Sequence, residues 1–380
     1  MALLFCPQKA VANGFRNPNQ DPDGIARGNA FVATADNPSA IYYNPAGITQ
    51  LEGDQARAGA YIISADTEYT SPSGAKAHSD TTPQLVPQLF YVHAFENVPF
   101  TFGLGVYAPF GLGLEWKNNP QFSPIAQKGE LLYATVSPVL AWRPHPTLSL
   151  AVGPTISYSD LNLESLGFKF RGNDVGLGFK AGMLWQPHRK WSFGVSYQSA
   201  SDLEYSGNSE VPALGLGRSS THAKAHVPQF AVAGISFRPT PNWNFEFDLD
   251  WTDWDSLNSI GFQRADTVAI PLLFNYTSSL MYEFGVTRQL GKGWFVSAGY
   301  IYSENSSPSK DYNPLVNDDN LHLGSVGFGH RGQRWDWTVA CHFAYNGSRN
   351  VTGSASPGGI ANGTYETFNN AVNIAATFKF

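Results

Sequence analysis

Trp243-Asn244-Phe245-Glu246-Phe247-Asp248-Leu249-Asp250-Trp251 is two interleaved stripes. The odd positions are all large and apolar, and the even positions are an amide and three carboxylates. In an extended strand those two sets lie on opposite faces. One face suits lipid and the other suits water. Aromatic residues close both ends of the apolar stripe. A soluble sandwich also alternates, but aromatics at both ends match the two interfacial girdles of a membrane-spanning barrel.

The pattern recurs. Residues 191–197, 280–286, 294–302 and 335–345 alternate in the same way, and so does the last segment, where Phe368, Val372, Ile374, Phe378 and Phe380 share a face. Short connections at 96–98, 143–147, 187–190, 239–242, 291–293 and 332–334 alternate with longer polar stretches near 109–130, 159–173, 206–222, 256–275, 305–319 and 348–364. Short periplasmic turns alternating with long outer loops is the barrel arrangement. The reading is all-β: a transmembrane antiparallel β-barrel of about 14 strands over 53–380. The strand from about Gly53 is expected to pair with the last one. Residues 13–52 are turn-rich, with Asn17-Pro18, Asp21-Pro22, Asn37-Pro38 and Asn44-Pro45, and are expected to form an N-terminal hatch (plug) inside the lumen. Ala10-Val11-Ala12 fits a signal-peptidase site, so residues 1–12 are read as a residual or clipped signal peptide.

Composition narrows the function. The formal charge of −6 over 380 residues has the wrong sign for a nucleic-acid partner. Charged residues are 14% of the chain, against about 25% in soluble domains. No run of 18 apolar residues suggests a membrane helix, but a barrel strand needs only about 10 alternating ones. Cys6 and Cys341 give no disulfide framework. Gly327-Phe-Gly329-His-Arg-Gly332 matches a dinucleotide fingerprint but runs into a tight turn rather than a helix. No zinc-type His arrangement and no GxSxG elbow is present. Neither a cofactor nor a metal is expected, and the chain does not read as an enzyme. An outer-membrane lipid-modifying enzyme, with the inward His342 as its one candidate group, and a general porin for polar solutes stand as alternatives.

Three features carry candidate sites. The stretch 109–131 is apolar for an outer loop, and Phe110, Leu112, Leu114 and Trp116 are read as an outer substrate groove. Gly103 and Gly105 share a strand face, where they make room in the lumen or let the strand bend. Glu246, Asp248 and Asp250 form an inward acidic ladder, read as a solvated lumen face paired with Lys or Arg across the barrel, with a cation site as the alternative.

In its order of motifs the chain resembles the FadL/TodX family of outer-membrane transporters for long-chain fatty acids and other hydrophobic compounds. Gly14-Phe15, Gly28-Asn29-Ala30 and Tyr43-Asn44-Pro45-Ala46-Gly47 come first. Tyr107-Ala-Pro-Phe110-Gly-Leu-Gly113 with Trp116, Trp185-Gln-Pro187, Trp251-Thr-Asp-Trp254 and Pro314 to Gly324 follow. The resemblance implies a hatch-plugged barrel with Asn44, Pro45 and Ala46 as the hatch motif. It implies capture in the outer groove, transfer to an inner pocket at Phe15, and release by hatch movement or through a side opening at a kinked third strand, near Gly103 and Gly105. It implies a monomer whose partners are a hydrophobic small-molecule ligand, outer-membrane lipid and lipopolysaccharide, with the barrel-assembly machinery reading the terminal Phe380. No phosphate loop is present, so uptake is expected to be passive and the gate shifted by ligand or thermal motion.

Overall fold

The computed structural model describes residues 14–80, 82–116, 119–266 and 268–380; the expected leader at 1–12 and Asn13 lie outside them. Twenty strand segments form one closed antiparallel sheet. In chain order they are β1 (Asp54–Thr70), β2 (Lys76–His78), β3 (Gln84–Ala94), β4 (Phe100–Tyr107), β5 (Leu112–Glu115), β6 (Lys128–His145) and β7 (Leu148–Glu164). Then come β8 (Lys169–His188), β9 (Trp191–Gln198), β10 (Ser201–Val211), β11 (Leu216–Val227), β12 (Phe230–Thr240) and β13 (Trp243–Thr252). The circuit ends with β14 (Ser259–Arg264), β15 (Ala269–Leu273), β16 (Ser279–Gly291), β17 (Trp294–Ser303), β18 (Leu321–Arg331), β19 (Trp335–Val351) and β20 (Gly363–Lys379). Six wall strands are each interrupted once, so the twenty segments make a 14-stranded barrel.

Closure falls where the terminal segment predicts it. β20 runs against β1 from Gln55↔Lys379 to Thr70↔Thr364 without a shift. Closure leaves no open edge in a medium that cannot hydrogen-bond to one. The stripes of β13 fall as the alternation requires: Phe245 and Leu249 face outward, while Asn244, Glu246, Asp248 and Asp250 are buried inside. All six short connections end their strands at one rim. At the other rim the wall is taller than the sequence suggests. Much of the stretches 159–173, 206–222 and 256–275 is strand, since β7–β8, β10–β11 and β14–β15 continue as hairpins. Above the lipid both faces are wet, so polar residues extend a strand without any apolar stripe.

From Gly14 to the start of β1 the chain lies inside the barrel as a hatch. It holds two one-turn helices, α1 (Pro22–Ile25) and α2 (Ala40–Tyr43), and a 3-10 turn over Pro45–Gln50. Inward glycines of the wall receive it. A Cβ on Gly299 would stand 1.9 Å from Gly28 N, one on Gly194 would stand 2.1 Å from Val32 O, and one on Gly285 would stand 2.5 Å from Arg27 O. Here hatch backbone lies directly on wall backbone, which only glycine allows.

Candidate functional site

The acidic ladder is the seat of the hatch. Asp250 holds the Arg16 guanidinium through two contacts, at 2.6 and 2.8 Å, and Thr252 accepts a third from the same group at 2.7 Å. The Arg16 guanidinium also lies 3.8 Å from the Phe230 ring centre. One Asp248 oxygen accepts from the amides of Phe31 and Val32, both at 2.8 Å. Glu246 accepts from the amides of Ala33, at 2.7 Å, and Thr34, at 3.1 Å, and from the Thr34 hydroxyl. The expectation of a solvated face paired across the barrel is therefore corrected. The ladder is buried, and its cation and N–H partners come from the hatch. Among the described residues no cluster suited to a metal ion exists.

Two further ion pairs hold the plug. Arg57 of β1 donates to Asp21 at 2.5 and 2.9 Å and to Asp23 at 3.2 Å. Arg331 of β18 clasps Asp36 at 2.9 and 3.2 Å. Burial alone would raise the Asp36 pKa, but the Arg331 charge outweighs it and holds the carboxyl well below its usual range. Asn44 joins plug to wall: its amide donates to Val32 O at 2.8 Å and Met183 O at 2.9 Å. Its side-chain oxygen accepts from Ala46 N at 3.2 Å, capping the 3-10 turn that Pro45 begins. A Cβ on Gly182 would fall 2.4 Å from Asn44 Oδ1, so this wall glycine admits the Asn-Pro-Ala segment.

The third wall strand is broken at Ala108–Gly111, between β4 and β5. β4 and β5 both pair with β6, but β3 meets β4 only from Leu89 to Ala94. Hatch residues 15–20 take the place of the missing ladder. Ala108 exchanges two hydrogen bonds with the Gln20 side chain, at 2.7 and 3.1 Å. Pro109 O accepts from Asn17 N at 2.7 Å, and Gly111 N donates to Phe15 O at 2.9 Å. Gly103 and Gly105 lie before this break, within the ladder of β4. Their missing side chains make room for Ile41 of the hatch, whose atoms would be 2.9 and 2.8 Å from an added Cβ. The strand leaves the wall at Ala108, beyond both glycines, where the hatch supplies its hydrogen-bond partners.

The structure divides the four groove candidates. Phe110 and Leu112 point inward beside Phe15; the Phe110 and Phe15 rings are 6.0 Å apart, and Trp254 stands edge-on to Phe15 at 4.9 Å. Leu114 and Trp116 belong to a separate cluster at the outer mouth with Phe122, Tyr69, Tyr312 and Tyr365. All four are buried, so the expectation of an exposed outer groove is corrected. The loops fold back over the stretch and tie together. Trp116 Nε1 donates to Pro314 O at 3.0 Å, Gln121 donates to Tyr69 at 2.6 Å and Ile360 O at 3.1 Å, and Tyr69 donates to Asn362 O at 2.7 Å. This is a lid. Beneath it lies a cavity of about 40 Å³, floored by Phe15 and walled by Leu112, Leu131, Leu161, Phe274 and Val316. The nearest polar side chains of its lining are Tyr205, His226 and Asn313. Trp254 stands in the sequence only as the end of the motif Trp251-Thr-Asp-Trp254, with no site role attached, and Gln20 carries no mark at all. The detour that brings Trp254 inward, between β13 and β14, has no periodic signal, and Gln20 acts through its amide alone.

His342, the inward group of the enzyme alternative, packs its ring 5.8 Å from that of Tyr61.

These features define a class: a closed outer-membrane barrel, stoppered by its own N-terminal segment, with an apolar chamber between lid and plug. The chain belongs to the outer membrane protein transport protein family (OMPP1/FadL/TodX), which it matches over residues 3–169 and 167–380. It is 21% identical over 378 residues to a long-chain fatty acid transport protein of Salmonella typhi, covering 86% of each chain. Its fold is similar to a Pseudomonas aeruginosa FadL homologue, with a TM-score of 0.86 at 15% identity over 97% of this chain and 100% of that one. The toluene transporter TodX of Pseudomonas putida aligns at a TM-score of 0.76 and 15% identity over the whole of both chains.

Proposed function

We propose that the chain is a passive uptake channel for small neutral apolar molecules, aromatic hydrocarbons rather than ionised fatty acids. One observation carries this reading: the described residues that line the cavity include no Lys or Arg. A fatty acid is ionised at neutral pH, and an unpaired buried carboxylate is strongly disfavoured. A neutral ring has no such penalty. Burying about 200 Å² of aromatic surface gives about 5 kcal/mol before association entropy is subtracted, a weak and reversible hold. A long-chain fatty acid transport protein and a toluene transporter are both among the similar proteins, and the lack of Lys and Arg among the described lining residues supports the neutral chemistry for this chain.

The cavity's 40 Å³ is far below the about 150 Å³ that holds benzene in an engineered protein site. Occupancy therefore requires the lid or Phe15 to move, and a ligand favours the state with the larger chamber. Because Phe15, Asn17 and Gln20 also complete the broken third strand, moving the start of the hatch frees the wall edge at Ala108–Gly111. Capture under the lid, displacement of Phe15 and sideways or downward release form one route, driven only by the concentration gradient. A porin for polar solutes does not fit a lumen filled by the hatch.

The reading is tested by equilibrium binding of toluene and of octanoate to the purified chain at pH 8. Toluene is expected to bind at least tenfold more tightly. Octanoate binding as well as toluene would overturn the neutral-solute assignment.

A further inference from the structure

The outside of the wall carries a second concave site. Near the short-turn rim, outward side chains of β9, β12, β13, β16 and β17 border a shallow hollow of about 600 Å³, open to the surroundings along the wall. Its sides are two aromatic rows. Trp191, Phe237 and Phe245 lie side by side in register, with the Trp191 and Phe237 rings stacked at 4.4 Å. One step further from the rim run Phe247, Phe284 and Tyr300, with Phe247 and Phe284 4.8 Å apart. Val286 and Ala298 continue the first row, and between the rows the floor is Glu246, whose side chain turns inward, with Gly285 and Gly299, the wall glycines on which the hatch backbone rests.

The rim below the hollow is basic. Residues 185–192, 237–243 and 287–294 include Arg189, Lys190, Arg288 and Lys292 and contain no Asp or Glu, although the chain as a whole is acidic at −6. These four cations are exposed. Arg288 lies on the same face as Val286 of the hollow, with its guanidinium 5.2 Å from the Trp243 ring centre, a stacking that fixes the cation at the interface.

We propose that this hollow is a binding site for an anionic phospholipid of the periplasmic leaflet. An acyl chain lies along the aromatic rows, and the phosphate meets Arg288 with Arg189 and Lys190. The short turns mark the periplasmic rim, where the leaflet is phospholipid, and basic clusters at a membrane interface select anionic headgroups. Because the floor glycines also seat the hatch, a lipid held here braces the wall against which the plug is packed.

The test is native mass spectrometry of the full delipidated chain in detergent, titrated with phosphatidylglycerol and phosphatidylcholine of identical acyl chains. One phosphatidylglycerol is expected to be retained at a tenfold or lower concentration than phosphatidylcholine. The double variant Lys190→Ala with Arg288→Ala should equalise the two lipids, and Ala298→Trp should weaken both. Equal retention by the unmodified chain overturns the proposal and needs no variant to fold. A phosphatidylglycerol preference left intact in the folded double variant, checked by heat-modifiable migration on gels, overturns it too. Solute transport does not enter this readout, so its outcome is independent of the channel assignment.

Discussion

Truncation of Arg16 to alanine probes whether the plug and the wall break move together. Arg16 is the hatch's buried partner for Asp250, at 2.6 Å, with both side chains almost wholly enclosed. Removing one member of such a pair leaves an uncompensated buried charge, at a cost of about 3–5 kcal/mol. Thr252 stays beside the carboxylate, but it is a neutral group. The Asp248 and Glu246 contacts lie further along the hatch, at Phe31 to Thr34, so the loosening should centre on residues 15–20. At about 1.4 kcal/mol per tenfold, the local opening constant rises by a factor between about 10² and 10⁴. Hydrogen exchange read by mass spectrometry on the micellar protein measures that factor directly. Exchange should rise in the hatch peptide around Asn17. It should rise by a similar factor at Ala108 and Gly111, whose amides donate to Gln20 and Phe15. Amides of β20, paired along its whole length with β1, should keep their protection. Exchange within threefold of the unmodified chain at residues 15–20 would refute the anchoring role. Faster exchange at the hatch with unchanged protection at Ala108 and Gly111 would refute the coupling.

Other perturbations follow from the same contacts. Gly299→Val places side-chain atoms where Gly28 N now lies, so the hatch should be displaced and planar-bilayer conductance should rise from low values to discrete channel openings. Trp116→Ala removes a buried ring and its bond to Pro314, a cost of about 3–5 kcal/mol if the site stays folded; the lid should open, and toluene should dissociate at least tenfold faster. The Asp36–Arg331 clasp should be insensitive to ordinary pH. A carboxyl whose folded pKa is depressed contributes stability that is complete above its unfolded value of about 3.9 and is lost only as pH falls through the lower folded value. Hatch exchange, corrected for intrinsic rates, should thus be flat from pH 5 to 8, and Asp36→Asn should raise it equally at both ends of that range.

The wall was legible because lipid imposes a period of two on every segment it touches. Trp243–Trp251 and Phe368–Phe380 show which residues face out, and the six short turns show where strands end. Above the lipid that constraint disappears, so the hairpins of β7–β8 and β10–β11 look like polar loops. The hatch could be placed from its turn residues, but its partners could not. Nothing local to Glu246 or Asp248 reveals that their acceptors meet backbone amides more than 200 positions earlier. The apolar stretch at Phe110–Trp116 was visible as an anomaly. Whether such side chains face water or one another depends on loops 305–319 and 352–362 folding across them, a long-range contact without periodicity. Phe15 was marked through family resemblance, and the structure sets it at the floor of the chamber.

The central claim is that neutral apolar solutes pass through the chamber between lid and hatch. It is tested most directly by uptake of radiolabelled toluene, at limiting concentration, in cells that lack other such channels. Cells with the unmodified chain are compared with cells carrying Leu161→Trp, which fills the chamber from β7, at matched outer-membrane levels. The account predicts uptake well above the empty-vector rate for the unmodified chain and a fall to that rate for the filled one. Equal uptake by the two would contradict it.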